Sequence, residues 1–308
     1  KALNSELTLR YLFNPQYFGF VELFGANTTV DYNRYSVIDE NQRSLLASLF
    51  AWNHPKLYLQ RTFGATFYGP LGNDFQLNTL IAWERREQVE NTCWRSIFGT
   101  RPNDNTPFVR GVPMEDYGVD KILRVDVQLD YIPGRRIFVK DDMTADMDSN
   151  KPTISLRATT GWNEGLRYMS LDLSVFGRTK GWTSKQQIMY RGSIGFFPVR
   201  NKVLLMDMRH FNSSDASGFS LQRGFVLNLF TLLDSYELST YKNWIEAHAE
   251  WNNPLFYAQA HFVKVPSRAA HEEISGGITL NKTLRLGCAI GFDDLKYDGI
   301  SGMLYYNF

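Results

Sequence analysis

The feature that most constrains this chain is a two-residue period that recurs along nearly its whole length. In LRVDVQLDY, Leu123, Val125, Val127, Leu129 and Tyr131 alternate with Arg124, Asp126, Gln128 and Asp130. In WIEAHAEW, Ile245, Ala247, Ala249 and Trp251 alternate with Trp244, Glu246, His248 and Glu250. ELTLRYLF, TISLRATTGW and LRLGCAIGF repeat the pattern at residues 6–13, 153–162 and 284–292. Successive strand residues point to opposite faces, so each run predicts a strand with one apolar and one polar side. Further runs fall near 17–30, 43–53, 57–69, 74–87, 166–178, 185–197, 202–211, 225–239, 256–265 and 273–280. Turn-rich stretches such as Gly69-Pro70-Leu71-Gly72-Asn73-Asp74 and Asn212-Ser213-Ser214-Asp215 separate them. The longest polar interruptions are 99–118 and 140–151. No helical period survives over three turns, so the fold is all-β.

Two solvents suit such a chain. A soluble sandwich or propeller turns its apolar faces inward, and a membrane barrel turns them outward to lipid. The runs often reach ~10 to 14 residues, where soluble strands average ~5 to 6. Aromatics make up 15% of the chain, and several stand at or near the end of an apolar face, where a bilayer interface would hold them. The chain closes on GISGMLYYNF, with Ile300, Leu304, Tyr306 and Phe308 on one side and Ser301, Tyr305 and Asn307 on the other. A terminal strand ending in Phe, with apolar residues at alternate positions before it, resembles the C-terminal insertion signal of bacterial outer-membrane barrels. We therefore expect a transmembrane antiparallel β-barrel spanning 1–308, located in the bacterial outer membrane. At ~22 residues per strand and connection, the length gives roughly 14 strands.

Transmembrane helices are excluded. The most apolar stretch, FVLNLFTLL at 225–233, is short and interrupted by Asn228 and Thr231. The start, KALNSELTLRY, lacks the charged-then-apolar layout of a secretory signal. A net charge of +1 gives no bulk electrostatic argument for nucleic acid, and none is expected as a partner. Cys93 and Cys288 stand far apart with no CxxC or Cys/His spacing, which argues against zinc and favours two unpaired thiols over one disulfide.

On this reading Arg124, Asp126, Asp130, Arg157, Glu246, His248, Glu250 and Arg285 face the lumen. Trp83, Tyr131, Trp162, Trp251, Tyr306 and Phe308 are the lipid-interface aromatics. Glu246, His248 and Glu250 share one face, with side chains roughly 7 Å apart. That spacing is loose for three ligands on one ion and suits a charged lumen balanced by arginines from neighbouring strands. HFNSSD at 210–215 supplies a His, a Ser and an acid. A triad needs groups converging from separate elements, so a polar turn is the better reading. Asp141-Asp142, Asp146, Asp148 and Asp293-Asp294 lack the regular spacing of a calcium loop and read as solvated. WERRE at 83–87 places Glu84 and Arg86 on one face, suited to a lumen salt-bridge ladder, and Trp83 and Arg85 on the other. Arg85 there can reach headgroups along its apolar stem. No catalytic residue, metal or cofactor is expected.

FTLLDSYELSTYKNWIEAHAEWN (230–252), WERREQVENT (83–92) and EEISGGITL (272–280) resemble a largely uncharacterised family of Bacteroidota outer-membrane proteins. In that family a soluble carboxypeptidase-regulatory-like domain precedes a C-terminal barrel of unknown function. The resemblance is strongest over the last quarter of the chain. It implies an outer-membrane location and offers no catalytic residues. The chain departs from the family in showing no N-terminal β-sandwich and in a short connection, PSRAAHEE at 266–273. Two functional classes follow. One is a structural or anchoring component in contact with outer-membrane lipids and another outer-membrane protein or lipoprotein. The other is a pore or transporter for small polar solutes through a charged lumen.

Overall fold

The computed structural model describes residues 4–15, 18–34, 36, 56–90, 97, 105, 107, 109, 117–140, 143–147, 151–181, 183, 185–214, 219–223, 226–281 and 283–306. For 137–140, 143–147 and 219–223 it describes the backbone alone. Among the described residues sixteen strands follow in chain order. They are β1 (Ser5–Asn14), β2 (Gly19–Asp31), β3 (Leu57–Pro70), β4 (Phe75–Gln88), β5 (Val119–Tyr131), β6 (Arg136–Lys140), β7 (Met143–Met147) and β8 (Thr153–Trp162). Then come β9 (Leu166–Lys180), β10 (Gln187–Arg200), β11 (Phe219–Arg223), β12 (Asn243–Asn252), β13 (Phe256–Lys264), β14 (His271–Leu280), β15 (Leu284–Asp293) and β16 (Lys296–Tyr306). A 3-10 turn lies at Leu205–Asp207. The fold is all-β, as expected.

Fourteen strands form one sheet in the order β1-β2-β3-β4-β5-β8-β9-β10-β12-β13-β14-β15-β16-β11. Neighbours in this order pair antiparallel, except that the short β11 adds to β16 in parallel. β6 and β7 form a separate hairpin, whose second strand lies in the 140–151 stretch read as a polar interruption and whose first strand precedes it. The sheet is not closed: among the described residues β1 pairs only with β2.

Burial shows which way the faces point. In β12 the side carrying Glu246, His248 and Glu250 is buried, while Ile245 is 44% exposed. In β16 Ser301, Met303 and Tyr305 are buried and Ile300 is 57% exposed. In β5 Asp120, Ile122 and Asp126 are buried, and Leu123, Val127 and Tyr131 lie outside. A soluble core reverses this arrangement, so the sheet is inside-out. Apart from the five-residue β11, the wall strands run from 9 residues in β13 to 15 in β9. Ten residues rise about 34 Å along a strand, or about 25 Å when it tilts as barrel strands do, the height of the apolar band in outer-membrane barrels.

Two expected strands are absent. The runs 202–211 and 225–239 are not strands; they lie within the connection from β10 to β12 and pack inside the sheet. Their apolar residues crowd together instead of alternating strictly, as in Val203-Leu204-Leu205-Met206, and neither side of such a run can face a polar neighbour strand. The expected run at 43–53 lies outside the described residues, as do Asn307 and Phe308.

Candidate functional site

Apart from β11, the described parts of the connection from β10 to β12, residues 201–214 and 226–242, fill the space that the sheet encloses. Its Leu204, Leu205, Met206, Met208, Phe211, Leu229, Phe230, Leu233 and Tyr236 are all buried. Two bridges brace it internally, Arg209 with Thr240 and Ser213 with Phe230. Its contacts run along the wall from β2 to β16. Tyr236 Oη donates to Asp31 Oδ1 on β2 at 2.6 Å. Asp207 accepts from Arg86 on β4 at 2.6 Å and from the Tyr168 hydroxyl on β9 at 3.0 Å. Arg209 Nη2 meets Glu246 on β12 at 2.6 Å. The Phe230 ring lies 5.1, 5.7 and 5.8 Å from the rings of His248, His261 and His271 on β12, β13 and β14. The Thr231 hydroxyl reaches Met303 Sδ on β16 at 3.3 Å. A sheet whose strands from β2 to β16 touch one central segment must curl round it.

A buried segment without a ladder must find other partners for its backbone. Glu273 on β14 supplies three of them. Its carboxylate accepts the N–H groups of Thr231 at 2.6 Å, Leu232 at 2.7 Å and Leu233 at 3.1 Å. Ser213 Oγ donates to the Leu233 carbonyl, and Ser214 Oγ to that of Thr231 at 3.0 Å. His210 Nε2–H donates to the Leu205 carbonyl at 2.8 Å, which leaves Nδ1 to accept from Ser239 Oγ at 2.6 Å. Burial lowers the His210 pKa to about 4, the Leu205 carbonyl opposing the shift, so the ring is neutral at pH 7. Residues 210–214 of HFNSSD are thus part of the plug. Its histidine pairs with a serine outside the motif, and both are buried away from solvent. Asp215 lies outside the described residues.

The inner wall carries charge, and nearly every group is matched. Glu84 takes a two-pronged contact from Arg34, at 3.2 and 2.9 Å, and the Arg124 Nε at 2.8 Å. Arg86, with no exposed surface, binds Asp120 at 2.5 and 3.0 Å and Asp207 at 2.6 and 3.1 Å. Arg167 closes on Asp120 from the other side at 2.7 Å. Arg157 Nε pairs with Asp126 at 2.7 Å, and Glu250 accepts from Arg285 at 2.9 Å and Gln259 at 2.7 Å. Removing a charge from water is costly unless a counter-charge and hydrogen bonds replace the lost hydration, which is why these groups come in clusters.

All eight lumen residues read from the sequence lie on the inner side. Glu246, His248 and Glu250 do not converge on one point. Glu246 pairs with the plug, Glu250 with Arg285, and His248 Nδ1 lies 2.9 Å from His261 Nδ1. Asp130 accepts from Gln128 at 2.9 Å and from Ser155 at 2.5 Å. The balancing cation for Glu246 comes from the plug and not from a neighbouring strand, and no two-residue period reveals that. Sequence reading also missed Asp120, Asp207, Arg209, His261, His271 and Glu273. Four of these follow from extending the alternation of β5, β13 and β14; Asp207 and Arg209 sit in a segment read as a strand.

Of the aromatics, Tyr131 and Trp162 end β5 and β8 and are 37% and 43% exposed on the outer face. Trp251 and Tyr306 are half-buried on that face near the ends of β12 and β16. Trp83 lies in the body of β4, stacked on Phe63 with centroids 5.3 Å apart, and Arg85 beside it pairs with Glu87 at 2.9 Å. Cys288 is a free, exposed thiol on the outer face of β15, and Cys93 lies outside the described residues. Asp141, Asp142 and Asp148 also lie outside them, and Asp146 is described by its backbone in β7.

Beside the plug a cavity of about 490 Å³ remains, lined by polar groups including Arg124, Arg157, Asp172, Arg191, Ser193 and Glu246. Asp172 Oδ2, Arg191 Nε and Ser193 Oγ are buried there with no hydrogen-bond partner among the described residues. Such a cavity is large and polar enough to hold several waters or one small polar solute.

No curated protein matches the chain. Among solved structures, one that is similar is the crystal structure of BamA from Haemophilus ducreyi lacking POTRA domains 1-3. It is 10% identical, with a TM-score of 0.48, and the alignment covers 98% of this chain but only 60% of that one. The family described as "Family of unknown function (DUF5686) C-terminal domain" matches residues 1–266. That match includes WERREQVENT and the 230–252 stretch but stops before EEISGGITL, so the likeness is not concentrated in the last quarter of the chain. An inside-out sheet wrapped on its own polar-braced plug is thus the form taken here by a member of the DUF5686 C-terminal domain family, to which this chain belongs.

Proposed function

We propose that this chain is an integral outer-membrane barrel, closed by its own 201–242 segment, that serves as a structural or anchoring component of a membrane assembly. The observation that carries the reading is the plug. One segment fills the lumen and is tied to wall strands from β2 to β16 by buried ion pairs and hydrogen bonds. The outer face of β12 to β16, with Ile245, Ile274, Ile278 and Ile300 exposed, supports contact with lipid. At one end the connections at 15–18, 71–74, 181–186, 253–255 and 281–283 are short and only 132–152, with the β6–β7 hairpin, is long; the opposite end has 32–56, 89–118 and 201–242 beside the short 163–165, 265–270 and 294–295. Outer-membrane barrels keep short turns on the periplasmic side, so the short-turn end is assigned there. The Bacteroidota source and attached soluble domain implied by the resemblance belong to the same proposal, and that domain would be what the barrel anchors.

The polar cavity beside the plug favours a second reading, a pore for small polar solutes. Conductance separates the two. The refolded chain in a planar bilayer is expected to give no stable current steps, and replacing 226–241 with a short linker, which leaves β11 in the wall, is expected to produce them. Stable steps from the unaltered chain would overturn the anchoring proposal in favour of the pore.

A further inference from the structure

We propose that His271, Asp293 and Asp298 form a divalent-cation site at the lumen rim, suited to a first-row transition ion of the zinc type, and that the bound ion tightens the plug. One ligand atom from each of the three lies within 4.8 Å of the other two. The site sits where β14 begins and β15 turns into β16, beside the plug residue Leu232.

The hydrogen-bond pattern round His271 calls for a positive charge. Its Nε2 lies 2.9 Å from Glu273 Oε1, and that oxygen already accepts the Leu232 and Leu233 N–H groups. Glu273 is therefore the acceptor, and Nε2 carries the hydrogen. In the neutral ring Nδ1 then presents a lone pair, yet it faces Asp293 Oδ1 at 2.9 Å. Two lone pairs at that distance repel unless a proton or a metal ion stands between or beside them. A proton serves Asp293 alone. Asp298, whose carboxylate is the third member of the group, makes no hydrogen bond or ion pair among the described residues. A divalent ion satisfies all three at once, and two aspartates with a neutral imidazole cancel its charge.

The donor set selects the ion. One imidazole nitrogen with two carboxylates suits zinc and its neighbours, with water completing the shell on the exposed Asp298 side. Calcium seeks six to eight oxygens and gains little from an imidazole. A metal-bound histidine commonly donates its other N–H to a carboxylate, and His271 does so to Glu273. That carboxylate also holds the backbone of Thr231, Leu232 and Leu233, so the ion is linked to the plug through two hydrogen-bonded steps. The inference stands on this local geometry and not on the anchoring role.

The test uses the folded chain in detergent, titrated with Zn²⁺ by calorimetry and with Co²⁺ by visible absorption. One ion per chain is expected, with affinity falling by about tenfold or more in Asp298→Asn. Asp298 is exposed and unbonded, so that variant keeps its fold, which an unchanged gel shift between boiled and unboiled samples verifies. Zn²⁺ is further expected to slow proteolysis within 201–242 in the unaltered chain and not in the variant. No saturable binding, equal affinity in Asp298→Asn, or tighter binding of Ca²⁺ than of Zn²⁺ would overturn the site. Site-specific Zn²⁺ binding with unchanged proteolysis would overturn the link to the plug.

Discussion

Arg86 is the residue on which the inner network turns. It has no exposed surface, and its guanidinium joins Asp120 on the wall to Asp207 on the plug. The pairing keeps three buried charges tolerable; it does not make them a net source of stability. Arg86→Met removes the cation and leaves two aspartates facing each other without a shared partner. The expected cost is about 3–5 kcal/mol, read as a lower urea midpoint for unfolding in lipid vesicles. An unchanged midpoint would mean that Asp207 is held by something other than Arg86. The face on which Arg86 lies was legible, because Trp83 and Arg85 alternate with Glu84 and Arg86. Its partner was not: Asp207 belongs to a segment more than a hundred positions away, and no local period encodes which distant acid meets which arginine.

At the level of elements, β14 and β15 show how closely the wall strands are fitted. Gly277 and Gly287 pair directly, and the Tyr257 side chain lies over Gly287. A Cβ at Gly277 would fall on the Leu286 carbonyl oxygen and 2.6 Å from the Gly287 Cα, so any side chain there forces the strands apart. Gly277→Val is expected to cost at least about 1–3 kcal/mol, the range for overpacking. Its readout is the fraction of chain that refolds to the heat-sensitive gel form, and full refolding would contradict the close approach. The wall strands were legible because one side carries the polar and plug-facing groups and the other carries exposed apolar side chains, which imposes a period of two. The plug was misread for a related reason. Apolar runs at 202–211 and 225–239 resemble strands in composition, but a segment surrounded on every side by wall has no second face to alternate with.

For the whole molecule, the sequence indicates the direction of the apolar faces and approximately the number of strands, and the structure adds what occupies the middle. That addition decides between a conduit and a closed body, and it depends on contacts from β2 to β16 that form only when the sheet curls. The central claim is that the wall is wrapped round residues 201–214 and 226–242. It is tested most directly by a disulfide between plug and wall, using Leu232→Cys with Gly291→Cys and with Cys93 and Cys288 replaced by serine. A Cβ built at Gly291 lies 3.5 Å from the Leu232 Cβ, within the roughly 3.5–4.5 Å that a disulfide spans. Mild oxidation of the folded chain is predicted to link the pair nearly completely, leaving no thiol for maleimide and changing the mobility of the boiled, unreduced chain. Two thiols that stay free and reactive in folded protein would place the segment outside the lumen and contradict the account.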